Sequence, residues 1–198
     1  MTPPADDRAT ADRRLWREEV VRLDVAVYAA IAATPTPAMD VALRRLSRAA
    51  DHSKLWIACS ALSAAFGGER GRRAAAAGLA SIAVTSAVVN LVLKQLGNRR
   101  RPDRGAYAVP VTRQVDMPSS TSWPSGHAAS AFAFTTGFGG VWPEAGIPLS
   151  VIASLVAYSR VHTGVHYPAD TIAGALSGMA LAQPIVAGSR RRRQRPRR

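Results

Sequence analysis

Three short polar segments of this chain hold the side chains with the greatest capacity for chemistry. KQLGNRRRP (residues 94–102) supplies Lys94 and Arg101, and PSGH (124–127) supplies Ser125, Gly126 and His127. SRVHTGVHYPAD (159–170) supplies Arg160, His166 and Asp170. Guanidinium forks and the amides at a helix start bind phosphate oxygens. The three cations and the backbone around Ser125 and Gly126 therefore read as a phosphate cage, with Gly126 allowing close approach of the backbone. Each charge-assisted hydrogen bond in such a cage contributes about 1.5–3 kcal/mol.

The histidines turn a binding site into a reactive one. Imidazole acts as a nucleophile or as a proton donor near neutral pH. His166 and Asp170 are four apart, the spacing of neighbours on one helical face, so the carboxylate is expected to accept the proton of one ring nitrogen. The other nitrogen is then free to attack phosphorus, and His127, from a different segment, is placed to protonate the departing alkoxide. Two histidines with opposite tasks make a hydrolase. The competing reading, a non-catalytic protein that binds anionic lipid through the cage, leaves the histidine pair unused.

For these segments to meet, the elements between them must reverse direction regularly. Charge-free runs cover residues 55–68, 74–93, 128–143, 145–159 and 171–189. The second is 20 residues long, enough for an α-helix to cross roughly 30 Å of hydrocarbon. Each polar segment adjoins the end of such a run, so alternating spans bring all three to one side of a membrane. Gly174 and Gly178 have the spacing that lets membrane helices approach closely. The compact basic stretch 69–73 is expected to be the turn between the first two runs. No strand-like alternation persists, and the expected fold is all-α, an integral-membrane helical bundle of about five spans preceded by amphipathic helices. A soluble all-α bundle, with the same chemistry carried out as a soluble acid phosphatase, fits the uniformly apolar 20-residue run less well.

The N-terminal part looks different. From residue 12 to 33, Trp16, Val20, Leu23, Val27 and Ile31 recur at helical spacing and predict an amphipathic helix. TPTP (34–37) breaks it, with Thr36 expected as cap and Pro37 as first residue of a second helix that aligns Met39, Leu43, Leu46 and Ala50. The chain thus divides into N-terminal amphipathic helices (1–53), a membrane phosphatase domain (54–188) and a basic tail (189–198). Residues 1–10 show no cleavable secretory signal.

Charge agrees with this division. The formal net charge is +13, of which residues 94–104 and 189–198 hold eleven units. The remainder is nearly balanced, which argues against a nucleic-acid surface. A lone Cys59 provides neither an internal disulfide nor a thiolate zinc site. The seven arginines of the tail are expected to stay cytoplasmic, which puts His166 on the outer face of a bacterial inner membrane in a multi-pass protein. With five spans the N-terminal helices lie on the outer leaflet, and a sixth span through 25–33 reverses this. Arg99, Arg100 and Arg104 are expected to hold lipid headgroups, His162 to be a structural or rim residue, and Trp16, Trp56, Trp123 and Trp142 to mark membrane interfaces.

Taken together, the three segments resemble the signature of the type-2 phosphatidic acid phosphatase superfamily, which also includes bacterial acid phosphatases and vanadium haloperoxidases. Lys94, Arg101 and Pro102 match its first block, Pro124 to His127 its second, and Ser159, Arg160, His166 and Asp170 its third. The resemblance implies a phosphohistidine on His166, acid and base roles for His127, orientation of His166 by Asp170, and neither metal nor cofactor. It implies as substrate a lipid phosphomonoester or diphosphate, such as phosphatidic acid, phosphatidylglycerol phosphate, or a polyprenyl phosphate or diphosphate, including a polyprenyl phosphoryl sugar phosphate. The N-terminal wording is similar to the phosphatase half of actinobacterial fusions with a diacylglycerol kinase domain.

Overall fold

A computed structural model describes residues 5–194, with side-chain surroundings from 12 to 191. Residues 1–4 and 195–198, which include the start of the chain and the last arginines of the basic run, lie outside the described residues. The long helices are α1 (Ala5–Ala33), α2 (Pro37–Ala49), α3 (Lys54–Phe66) and α4 (Gly68–Val88). A π-helical turn, Val89–Leu93, and a single turn α5 (Lys94–Leu96) continue α4 without a break. After a long loop come α6 (Gly126–Val141), α7 (Pro143–His162) and α8 (Pro168–Gln194). All five charge-free runs are helical, and the described residues contain no strand.

Packing centres on α6, which lies against α4, α7 and α8. Small residues make that approach possible. A Cβ at Gly178 would meet the Ala129 carbonyl oxygen at 2.2 Å, and one at Gly174 would meet that of Ser125 at 2.4 Å. The paired glycines thus seat α8 directly on the backbone of α6, as their spacing predicts. Trp56, Phe134 and Phe138 fill the space beside Ala74 and Ala77. Trp56 is only 1% exposed, so it is a core residue rather than an interfacial anchor. Its ring lies 5.1 Å from that of Phe134.

Two helical stretches, Gly68–Leu96 and Pro168–Arg191, are long and apolar enough to cross a membrane. The pair Asp12–Ala33 and Pro37–Ala49 meets the same requirement jointly but is bent by 117°. With 13 residues, α3 covers only about 20 Å. The basic stretch 69–73 is not a turn. Gly67 and Gly68, the latter at φ +58°, make the reversal, and the basic residues form the first turns of α4, where Arg73 pairs with Glu69 at 2.5 Å.

The N-terminal helices lie on the end of the bundle that holds the three polar segments, α1 against α7 and α8, and α2 against α7. The face that α1 presents to the protein is Asp24, Tyr28 and Ala32. Of the apolar stripe read from the sequence, Trp16 (66%), Leu23 (66%), Val20 and Val27 are exposed. Pro37 opens α2 as expected, but the Thr36 hydroxyl does not cap it; it hydrogen-bonds Asp40 Oδ1 at 2.9 Å instead. Arg113 fixes the corner between α1 and α2. Fully buried, it donates to Asp40 at 2.8 Å and to the carbonyls of Ile31 and Thr34.

Candidate active site

His166 lies in the loop between α7 and α8, and Asp170 lies in the first turn of α8. They meet for a reason other than a shared helical face. Asp170 Oδ2 accepts the Tyr167 amide at 2.9 Å, which turns the carboxylate back over the loop. Its distance to His166 Nδ1 is 3.6 Å, longer than a direct hydrogen bond. Ser122 fills the gap, with its hydroxyl 2.5 Å from Asp170 Oδ2 and 3.4 Å from Nδ1.

Arg101 fixes the tautomer. Its Nη1 lies 3.2 Å from His166 Nε2, and guanidinium only donates. Nε2 must therefore accept, and the ring proton sits on Nδ1, toward Ser122 and Asp170. The same guanidinium donates to the carbonyls of Val165, Ser120 and Thr121, so it is held in place before any substrate arrives. Burial, with Arg101 and Arg160 nearby, pushes the His166 imidazole down to about 4 against the pull of Asp170. The ring is neutral at pH 7, with a lone pair on Nε2.

Behind Asp170 the network reaches into α1. Arg99 donates to Asp170 Oδ1 at 3.0 Å and to Asp24 Oδ2 at 2.5 Å, and its guanidinium stacks 4.1 Å from the Tyr167 ring centroid. Asp24 Oδ1 also accepts the Ala169 amide at 2.8 Å. Arg99 is thus turned inward as a structural cation rather than outward to a headgroup. Arg104 likewise turns inward, donating to the Gly164 carbonyl at 3.4 Å, whereas Arg100 is exposed. His162, 2% exposed, bonds Asp40 at 3.0 Å through Nε2 and is structural.

His127, at the start of α6, faces a different set of groups. Its Nε2 lies 2.8 Å from Asp51 Oδ1. Arg160, at the end of α7 and 1% exposed, has Nη1 3.7 Å from the same Asp51 oxygen and donates to the Ser47 hydroxyl of α2. One ring nitrogen of His127 is therefore held by a segment outside all three signature blocks. Lys94 Nζ donates to Ser120 at 3.0 Å and lies 4.0 Å from where a Cβ on Gly126 would stand. Ser125 is fully buried. Its hydroxyl accepts from the Ala128 amide at 3.5 Å, and its own amide donates to the Asp170 carbonyl at 2.9 Å. Ser125 thus ties the two histidine segments together.

A cleft of about 530 Å³ opens beside these groups, lined by Asp51, Asn90, Lys94, Gly126, His127 and Arg160. A hollow of similar size, about 510 Å³, lies between Arg73, Ala77, Ile185 and Ser189 and contains no acid–base pair. Among the described residues no three His, Cys, Asp or Glu side chains converge as a metal-binding group. The three segments thus come together as their order along the helices requires. The spacing did not reveal Ser122, Ser120, Ser47, Asp24 or Asp51. For Asp51 there was a signal: Asp51, His52 and Ser53 precede the first charge-free run and so belong to the same end of the bundle as the other polar segments.

Comparison with known proteins bears on the family and the fold. The profile described as the PAP2 superfamily matches residues 75–194. The chain is 34% identical over 184 residues to the decaprenylphosphoryl-5-phosphoribose phosphatase of Mycobacterium tuberculosis, covering 90% of this chain and 99% of that protein. The transmembrane PAP2-type phosphatidylglycerolphosphate phosphatase of Bacillus subtilis superposes with a TM-score of 0.66 at 25% identity, over 90% of each chain. Aquifex aeolicus LpxE has the same fold, with a TM-score of 0.63 at 23% identity over 83% of this chain and 95% of that one.

Proposed function

The chain belongs to the PAP2 superfamily, and from that premise we propose that it is a membrane phosphatase whose substrate is a polyprenyl phosphoryl sugar phosphate, hydrolysed through a phosphohistidine. That it is a phosphoric ester hydrolase acting on lipid phosphates agrees with its relatives. The finer substrate rests on the near full-length similarity to the mycobacterial enzyme, whose name specifies a decaprenylphosphoryl phosphoribose. Lys94, Arg101, Arg160 and the amides around Gly126 hold the phosphate, and Ser125 shapes the turn that presents them. No step requires a metal or a cofactor.

The observation that supports this reading most strongly is the tautomer of His166. With Nδ1 protonated toward Ser122 and Asp170, the Nε2 lone pair attacks phosphorus as Arg101 moves its N–H groups from Nε2 to the phosphate oxygens. The P–O bond to the sugar breaks, and a proton from His127 passes to the departing oxygen. Water then attacks phosphorus, giving a proton to the now neutral His127, and the P–N bond breaks with its electron pair returning to Nε2. Inorganic phosphate leaves and His166 is restored. The cations stabilise the charge on the transferred group.

The proposed setting is the bacterial inner membrane with the site outward, since the basic segment 189–198 is retained on the cytoplasmic side. The N-terminal region 1–53 then contributes helices α1 and α2 over the site, and 54–188 is the membrane phosphatase domain. The test is phosphate release in detergent from a panel of phosphatidic acid, phosphatidylglycerol phosphate, polyprenyl diphosphate and polyprenyl phosphoryl ribose phosphate. Preference for the last, abolished in His166→Ala, is expected. Preference for a glycerolipid would contradict the substrate class, and full activity in His166→Ala would contradict the nucleophile.

A further inference from the structure

The signature accounts for one carboxylate, Asp170. A second, Asp51, bonds the other histidine from outside the signature. It belongs to the 3₁₀ turn Asp51–Ser53 between α2 and α3. Two consecutive non-glycine residues of that turn, His52 at φ 55° and Ser53 at φ 59°, occupy the left-handed region. L-residues adopt this region at a cost, and it recurs where a site needs a side chain aimed. Here the aimed group is the Asp51 carboxylate, which lines the cleft with His127 and Arg160.

The chemistry of the contact fixes a second tautomer. An ionised carboxylate only accepts, so the 2.8 Å contact to Nε2 places a proton on that nitrogen. Nδ1 has no hydrogen-bond partner among the described residues. We propose that Asp51 is a positioning residue for His127, holding Nε2–H so that Nδ1 delivers the proton to the leaving oxygen and afterwards accepts one from water. In the imidazolium both nitrogens carry protons. Transfer from Nδ1 to the leaving oxygen gives the neutral Nε2–H form that Asp51 already binds, so the proton inventory closes over the cycle. This rests on the phosphohistidine reading above.

The charged groups around the imidazole pull in opposite directions. Burial and Arg160 push His127, one residue ahead of the apolar run, down to about 4, while Asp51 raises it and His166 lowers it further. His52, Lys94 and Asp116 share the cleft. Bound phosphate adds negative charge next to Arg160 and favours the imidazolium. Asp51 acts in the same direction on the other side of the ring.

The test compares Asp51→Asn with wild type on p-nitrophenyl, phenyl and alkyl phosphates and on the polyprenyl lipid, reading kcat/KM, which reports steps through phosphohistidine formation. A poor leaving group needs the proton and a good one does not. The expected loss is about 10-fold to 10²-fold for alkyl and lipid substrates, shrinking toward none for p-nitrophenyl phosphate. The alkaline limb of kcat for phenyl phosphate, which reports the enzyme–substrate complex, is expected to move to lower pH, with partial rescue by Asp51→Glu. Asp51→Ser gives the same comparison where the Asn variant does not extract folded. An equal loss on every substrate overturns the proposal, as does unchanged or raised activity, which would make Asp51 an occupant of the phosphate position. Wild type that hydrolyses the aryl phosphates but no lipid contradicts the substrate class and leaves the Asp51 comparison intact. Wild type inert toward both overturns both readings.

Discussion

The two histidine–carboxylate pairs are built in opposite ways. His166 is 2% exposed, and its carboxylate, Asp170, is fully buried. Four groups converge on Asp170: Ser122, Arg99, the Tyr167 amide and, at 3.6 Å, the histidine itself. The His127 side chain is 23% exposed and Asp51 is 36% exposed. The nitrogens are opposite too, with Nδ1 toward Ser122 and Asp170 and Nε2 toward Arg101 in His166, and Nε2 held by Asp51 and Nδ1 open in His127. On the proposed mechanism the buried pair lies where a bond to phosphorus forms and small displacements cost the most rate. On the same mechanism the open pair faces the side where the alcohol departs and water enters.

Three substitutions sharpen this contrast. Asp170→Asn should have the largest effect, about 10³-fold or more in kcat, because an amide there can stabilise the wrong imidazole tautomer. An effect no larger than that of Asp51→Asn, measured on the same lipid in the same detergent, would erase the distinction between the two pairs. Arg101→Gln comes next, with turnover lowered by about 10²-fold to 10³-fold through loss of a preorganised donor. Removing that positive charge also favours protonated His166. The acid limb of kcat/KM, set near 4 by the buried ring, should therefore move to higher pH by up to about one unit. Comparing variant with wild type on one substrate cancels the substrate's own ionisation, and a limb moving the other way would break the assignment of the base.

The smallest effect is expected at Asp24, which touches neither substrate nor histidine. Asp24→Asn loosens Arg99 and through it Asp170. Activity should fall about tenfold and stability by about 1–3 kcal/mol, the cost of a buried polar group left without its partner. Thermal unfolding in detergent and initial rates check the two numbers separately. Unchanged values in both would mean that α1 merely lies against the site.

These residues also show how far the sequence could be read. Helix order and the meeting of Lys94, Arg101, His127, Arg160, His166 and Asp170 followed from charge-free runs and from polar segments at their ends. That the last helix approaches a neighbour closely followed from Gly174 and Gly178, while the neighbour, α6, came from the structure. What could not be read were contacts between residues far apart in the chain that carry no periodic signal. Asp24 and Arg99 are 75 residues apart, and Arg99 looks in sequence like one more arginine of a basic loop. The stripe on α1 misled for a related reason. Its apolar residues, Trp16 and Leu23 among them, face away from the protein, whereas a carboxylate and a tyrosine face inward, the reverse of the usual soluble pattern. Trp56 misled because position near a helix end says nothing about the direction of the ring.

The central claim is that phosphorus is bonded covalently to His166 during turnover. Rapid acid-free quenching of the enzyme with ³²P-labelled substrate, followed by mapping of the alkali-stable label, tests it directly. The account predicts label on the peptide containing residue 166 in wild type, none in His166→Ala, and slower loss of label in His127→Ala. Label absent from wild type under conditions of full turnover, or present on another residue in His166→Ala, would contradict it.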